Sequence, residues 1–355
     1  MKKPFYRSMN WMLGFVAVAL IVTLVWVGCN EKYQAPSAPE ELQENLLNAS
    51  NPQVKAVMEV QDRNTNSIMA KAGVVGIGTG MTEDGRPAII IFTKAAALEK
   101  GERLPLAIEN VPVVVEVTGE FTALKAGGGG FDTTLRHRPA PNGVSLGHPN
   151  ITAGTLGCLV TDGPNTYILS NNHVMADENL ANIGDNILQP GPFDGGQNPA
   201  DRIAALSDYE PIVFSTSANN VIDAAIAEVD NVADVTGATE PGGYGSPRTT
   251  TIAAAVNMRV MKYGRTTQQT TGRVSAINAT VNVGYSTGTA RFVNQIVISG
   301  GSFSAGGDSG SLIVVEKGAN ARRPVGLLFA GGGGSTIANP INSVLSRFGV
   351  TVVGN

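Results

Sequence analysis

Three histidines, one glycine-flanked serine and several aspartates at the ends of apolar runs are the residues of this 355-residue chain that could do chemistry. Hydrolysis through a nucleophile needs a hydroxyl, an imidazole to take its proton, a carboxylate to hold that imidazole, and backbone donors for the oxyanion. Ser309 stands in Gly306-Gly307-Asp308-Ser309-Gly310, ahead of the apolar run Leu312–Val315. The glycines permit a tight turn in which the N–H groups of Gly307 and Ser309 converge on an oxyanion while the hydroxyl projects outward. Of the histidines, His137 lies between Arg136 and Arg138 and reads as solvated. His148, in Gly147-His148-Pro149, reads as capping backbone groups in a turn. His173 differs, because it follows the apolar run Tyr167–Ser170 and precedes a polar loop with Asn179 and Asp185, so a rigid element delivers its imidazole to an edge. The carboxylate candidate is Asp223, which opens the apolar run Ala224–Val229 and so needs a partner for a buried charge. Asp223 as a simple turn cap, with Asp208 or Asp230 in its place, stays open at this point.

The elements that must position these groups follow from composition and pattern. Glycine supplies 43 residues and charged residues only 15%, against roughly 7% and 25% in ordinary domains. That excludes long helical and coiled-coil architectures, and the absence of a G-X-Y period excludes collagen. With 43% hydrophobic residues the chain has a core to bury, and a net charge of −4 without basic blocks excludes nucleic acid as a partner. Asn51-Pro52 predicts a helix start, with Val54, Val57, Met58, Ile68 and Met69 on its apolar face. Val74–Gly78 and Ala88–Thr93 predict strands joined by an Asp84-Gly85 turn, and Val111–Val117 a third, which together give a small α/β unit over residues 52–126. Gly127–Gly130 reads as a linker; no Lys-Ser/Thr pair follows it, which excludes a phosphate loop. Beyond it, strands are expected at Thr166–Ser170, Tyr209–Phe214, Ala224–Val229, Met258–Tyr263, Gly272–Ile277, Phe292–Ile298, Leu312–Val315 and Pro324–Phe329, with one helix over Pro340–Phe348. Many short strands at this spacing predict an all-β sandwich or barrel.

Residues 1–28 form an address. Lys2, Lys3 and Arg7 precede the apolar run Trp11–Gly28, and Cys29 follows directly, which resembles a lipoprotein signal whose lipidation residue is Cys29. An uncleaved anchor and ordinary cleavage are the alternatives, and all three place the remainder outside the cytoplasm. Residues 29–51 read as a tether. Asn30 after the cysteine favours an outer-membrane or cell-surface location. Cys158 then has no partner, so no internal disulfide is expected, and it reads as a small buried hydrophobe. Three separated histidines and one thiol supply no metal cluster, and neither metal nor cofactor is expected.

Leu169-Ser170-Asn171-Asn172-His173-Val174, Asp223-Ala224-Ala225-Ile226-Ala227 and Gly307-Asp308-Ser309-Gly310-Ser311 together resemble the trypsin-like (chymotrypsin-fold) serine peptidases, most nearly bacterial relatives of the plant narrow-leaf trypsin-like proteins. Gly143–His148, Gln189–Gly196 and Lys262–Thr267 support the likeness, which covers residues 132–355. The resemblance implies a chymotrypsin-like double β-barrel with a C-terminal helix. It implies His173 as general base, Asp223 as its orienter, Ser309 as nucleophile, and the N–H groups of Gly307 and Ser309 as the oxyanion hole. It also implies a primary pocket built from Phe303, Ser304, Phe329, Ala330 and Gly331 through Gly334. No acid stands among these, which disfavours Lys or Arg in the substrate and favours a small or apolar side chain. In zymogen-type relatives a new N-terminus pairs with the aspartate equivalent to Asp308; here a tether and a small domain precede the barrel, so Asp308 needs another partner or none. The expected function is an envelope-tethered endopeptidase acting on protein or peptide substrates, with cleavage near Gly127–Gly130 as one route to activation. The alternatives are a trypsin-like surface lipoprotein serving as a binding or scaffold module, with its triad silent or the small domain blocking the cleft, and a non-enzymatic surface lipoprotein whose Gly-Asp-Ser-Gly is only a turn.

Overall fold

The computed structural model describes residues 47–96, 103–123 and 131–355. Cys29, the signal-like segment, most of the tether and Gly127–Gly130 lie outside the described residues. Helix α1 (Pro52–Met69) begins where expected: the Asn51 side chain accepts the Gln53 N–H at 2.9 Å, and Pro52 occupies the first turn, where its missing donor costs nothing. Of its buried face, Val57, Val60 and Ile68 lie against β1 (Val74–Met81) and β2 (Pro87–Thr93), while Val54 joins a cluster with Val256, Val274 and Ile277. The hairpin turns at Asp84-Gly85, with Gly85 at φ +84°. β3 (Val111–Val117) runs parallel to β2, and β4 (Phe121–Ala123) follows it.

Two six-stranded structures come next. The first contains β5 (Cys158–Thr161), β6 (Thr166–Ser170), a short helix α2 (Asn172–Met175), β7 (Asn186–Leu188), β8 (Arg202–Tyr209) and β9 (Ala225–Val229). The second contains β10 (Arg259–Gly264), β11 (Gln268–Gly284), β12 (Thr289–Ser299), β13 (Leu312–Val315), β14 (Pro324–Gly332) and β15 (Ser335–Pro340). α3 (Ile341–Phe348) and β16 (Thr351–Val352) end the chain, and β16 fills the sixth place of the first sheet, whose order is β7-β8-β9-β6-β5-β16. The second has the order β10-β13-β14-β15-β12-β11, and β11 pairs back on β10, so it closes. Closure leaves no free edge where the six strands pair, and the far ends of β11 and β14 run on beyond it. Each structure has its own core, around Leu146, Ile168 and Ile203 in the first and Val260, Val274 and Ile313 in the second. Between them Leu169, Met261, Leu312, Leu327 and Val344 form a shared apolar seam that also buries Cys158.

Two expectations need correction. The segment 52–123 does not pack as a separate α/β unit. β11 is 17 residues long, well beyond the expected Gly272–Ile277, and its far half offers an edge to β1, with Ile277 opposite Thr79 and Val281 opposite Gly76. One cluster accordingly mixes Val75, Ile90, Phe92 and Phe121 with Val281, Phe292, Val297 and Phe329, and Asn45–Asn355 form a single compact unit. The strand expected at Tyr209–Phe214 instead ends at Tyr209. Pro211 offers no N–H to a ladder, and the amide side chain of Asn220 satisfies Val213 on both sides, accepting its N–H at 2.8 Å and donating to its carbonyl at 2.9 Å.

Candidate active site

β6 delivers His173 as expected, although through α2, whose first turn starts directly after the strand. Asp223 sits just ahead of β9, which pairs with β6, so the ladder Ser170–Ala225 brings the two side chains together. His173 Nδ1 lies 2.6 Å from Asp223 Oδ2, and the His173 N–H lies 3.3 Å from Oδ1. A carboxylate only accepts, so Nδ1 carries the proton and Nε2 presents a lone pair. Nε2 is buried and makes no hydrogen bond among the described residues. Asp208 and Asp230, the alternatives, pair elsewhere, with Arg347 and Arg202 respectively.

Asp223 is fully buried, and its surroundings answer for its charge. Beside His173, the Tyr285 hydroxyl donates to Oδ2 at 2.9 Å. Burial, and then the Asp223 charge, push the Tyr285 phenol well above its ordinary value, so it remains a donor. The backbone of Asp223 is pinned on both sides: its N–H donates to Asn339 Oδ1 at 3.1 Å and its carbonyl accepts from Asn171 Nδ2 at 2.7 Å. Asn339 in turn donates to Gln295 Oε1 at 2.8 Å, and Gln295 donates to the Val221 carbonyl at 2.8 Å. A buried amide chain from the second barrel thus fixes a residue of the first.

Ser309 sits in the turn before β13. Gly307 and Gly310 both have φ +93°, which a residue with a Cβ rarely adopts. The peptide planes here are oriented by their carbonyls. Gly306 O accepts the Thr266 hydroxyl at 2.6 Å, and Asp308 O accepts the Ser311 N–H at 3.0 Å. In a trans peptide the N–H points opposite to the preceding carbonyl, so the Gly307 and Ser309 N–H groups turn away from these anchors. Neither donates to a protein acceptor among the described residues. The Ser309 hydroxyl donates to the Phe329 carbonyl at 3.2 Å and is not hydrogen-bonded to His173 in this conformation. The two lobes approach closely here: a Cβ on Gly154 would lie 2.4 Å from Val174, the residue after the histidine, and 3.0 Å from the Ser309 carbonyl.

Asp308 does find a partner. Lys262 Nζ lies 3.5 Å from its Oδ2, both side chains fully buried. Oδ1 also accepts the Thr266 and Thr267 N–H groups at 2.9 and 3.1 Å, and Oδ2 accepts the Thr267 hydroxyl at 2.6 Å and the Ala305 N–H at 3.0 Å. Burial lowers the Lys262 pKa, and Asp308 opposes that shift. A lysine inside the chain therefore supplies the cation beside the serine turn. Next to it, Arg265 makes a buried pair with Asp194 (Nε to Oδ2, 2.9 Å) that ties the 189–196 loop to the same strand end.

A cavity of about 160 Å³ is lined by Phe303, Ser304, Gly331 through Gly334 and Thr336, with no charged group on its walls. Phe329 and Ala330, expected there, are instead fully buried in the core cluster with Phe292. Phe329 reaches the site through its carbonyl, while its ring joins Ala330 in the core at a register shift of β14 against β15 between Leu328 and Ala330. A second cavity of about 270 Å³ is lined by Thr152, His173, Glu178, Tyr285 and Ser286.

The remaining histidines are placed elsewhere. His148 Nδ1 accepts the Asn150 N–H at 3.2 Å and Nε2 faces Asp185 at 3.3 Å. His137 stacks on Phe131 at 4.8 Å. Cys158 is fully buried, and burial pushes its thiol up to about 12. Its expected behaviour is no alkylation by iodoacetamide in the native protein and stoichiometric alkylation in denaturant, read by intact mass. Among the described residues there is no metal-binding cluster.

Tyr285 and Asn339 carry no motif that marks them in the sequence. Lys262 and Thr266 fall within the Lys262–Thr267 segment that supports the likeness, and Lys262 also shares the alternation Val260-Lys262-Gly264, a charge on the inward face of an apolar strand.

A family described as the Nal1 C-terminal domain matches residues 223–339. Among solved structures the chain is similar to protease A from Thermobifida fusca, at 20% identity over 61% of this chain and 98% of that one, with a TM-score of 0.43. It is likewise similar to chymotrypsin from Cellulomonas bogoriensis (18% identity, 61% and 98% covered, TM-score 0.41) and to a Nocardiopsis protease (17%, 60% and 97%, 0.42). No curated protein matches the chain. The described residues are mostly β-strand with few helices, α1 and one C-terminal helix among them, and the two six-stranded structures resemble chymotrypsin-like protease folds.

Proposed function

We propose that the protein is a serine endopeptidase in which Ser309 is the nucleophile, His173 the general base and Asp223 its orienter. The observation that carries this reading is the buried His173–Asp223 pair at 2.6 Å, with Val174 and the Ser309 turn brought close together at Gly154 and the Gly307 and Ser309 N–H groups without a protein acceptor among the described residues. In the first step Ser309 Oγ attacks a substrate carbonyl carbon, and His173 Nε2 takes the hydroxyl proton. The oxyanion forms against the N–H groups of Gly307 and Ser309. His173 then returns the proton to the leaving amine as the C–N bond breaks, and water repeats the sequence on the acyl-enzyme. Tyr285 and Asn339 are positioning residues that hold Asp223. Tyr285→Phe should lower kcat/KM by roughly tenfold, the loss of one hydrogen bond to a charged group at about 1.5 kcal/mol.

The uncharged pocket around Phe303, Ser304 and the 331–334 glycines supports a substrate with a neutral residue before the cut. Digestion of a proteome-derived peptide library, with Ser309→Ala as control, should give cleavages after small or apolar residues. A dominant Lys or Arg preference would overturn the pocket assignment. The match over residues 223–339 supports kinship with the narrow-leaf trypsin-like proteins. The lipoprotein-type signal supports tethering through Cys29 to the outer membrane or cell surface, and loss of fatty-acid incorporation in Cys29→Ser is the expected result.

A further inference from the structure

The edge of β14 that leads to Ser309 is already occupied, and its occupant is the chain itself. β4 pairs antiparallel with it, Thr122 opposite Gly331 and Ala123 opposite Ala330. The next residue of β14 in that register is Phe329, whose carbonyl holds the Ser309 hydroxyl at 3.2 Å. Chain direction along β4 therefore runs toward the nucleophile. Upstream, the contact is backbone on backbone: a Cβ on Gly332 would lie 2.1 Å from the Glu120 carbonyl oxygen, and one on Gly333 would lie 1.6 Å from that of Thr118. The other edge of β4 pairs in parallel with Val283 and Gly284, the residues just before Tyr285. Phe121 anchors the segment, fully buried and edge-to-face with Phe92 at 5.9 Å. Gly331 through Gly334, along which this segment runs, also line the uncharged cavity.

An extended peptide binds a protein edge by adding a strand to it, and one edge takes one strand. We propose that residues 118–123 are a resident occupant of the peptide-binding edge of β14, and that they exclude extended peptide substrates from Ser309 while β4 is paired. The partner that fits this surface is thus an extended backbone with an apolar anchor placed as Phe121 is, and a free peptide competes with the chain's own segment for it. The inference rests on the peptidase reading of Ser309. Small reagents that need only the nucleophile and the oxyanion donors are not excluded, whereas reagents that need the strand edge are.

The full chain and its Thr122→Pro variant, which removes one backbone donor from β4, separate the two kinds of access. A small fluorophosphonate should label Ser309 in both. Hydrolysis of a mixed quenched-fluorescent peptide set should rise at least about tenfold in the variant, as expected when a competent state of about 10% or less becomes the majority. A synthetic peptide of residues 117–123 should bring the variant's rate back down. Should Thr122→Pro fail to fold by circular dichroism, Phe121→Ala, which keeps every backbone donor, carries the same comparison. Equal peptide hydrolysis in the parent and the variant, both labelled by the probe, overturns the occlusion and leaves the peptidase reading standing. Absence of labelling in either form overturns both.

Discussion

Asp223→Asn should lower kcat/KM by about 10⁴ while leaving the protein folded, a loss of the size expected when the orienting carboxylate of such a site becomes an amide. The cause is proton placement. Asp223 Oδ2 accepts from His173 Nδ1 at 2.6 Å and from the Tyr285 hydroxyl at 2.9 Å, while Oδ1 faces the His173 N–H at 3.3 Å. An asparagine sets its NH₂ against a donor in either orientation: against the His173 backbone N–H in one, against Nδ1 and the phenol in the other. The second orientation is relieved only if His173 moves its proton to Nε2, where it can no longer take the serine proton. Steady-state kinetics on the best library peptide, beside thermal melts of parent and variant, checks this. A loss smaller than about tenfold would mean that His173 does not depend on Asp223 for its tautomer.

The second large effect is on stability. Lys262→Met should destabilise the protein by about 3 kcal/mol, the lower part of the range for removing one member of a buried ion pair. The lower part applies because Asp308 keeps four other donors, from Thr266, Thr267 and Ala305. The side chain of Lys262 is fully buried, so methionine fills similar space while removing the ammonium together with its hydrogen bonds to Thr267 Oγ1 and to the Gln268 carbonyl at 2.8 Å. Urea unfolding at neutral pH measures it. Activity should fall as well, because Asp308 sits between Gly307 and Ser309, the two residues whose N–H groups are proposed to hold the oxyanion.

Much of this site is legible in the residues. Gly-Asp-Ser-Gly has a backbone requirement that only glycine meets, and Gly307 and Gly310 do adopt left-handed φ. An aspartate at the mouth of an apolar strand announces a buried charge, and the β6–β9 ladder then brings it to His173. What is not legible is long-range. Tyr285 lies 62 positions from Asp223 and Asn339 lies 116, and nothing local to either records the contact. The N-terminal segment misleads for the same reason. Its helix, hairpin and third strand are locally complete, so the sequence pattern reads them as self-contained. The edge of β11 that β1 joins exists only because β11 continues past the barrel, through Ala279-Thr280-Val281-Asn282-Val283. Phe329 and Ala330 show a smaller version of this: resemblance places them near the serine, and a register shift of β14 between Leu328 and Ala330, which no local pattern records, accompanies the turning of both side chains into one core cluster.

The most direct test of the central claim is the reactivity of one side chain. Native protein treated with a fluorophosphonate and digested for mass spectrometry should carry a single adduct, on Ser309, and His173→Ala should lose it while retaining the parent's melting behaviour. An unmodified Ser309 in the folded parent, or an adduct that forms equally fast in His173→Ala, would contradict the assignment of a His173-activated serine nucleophile.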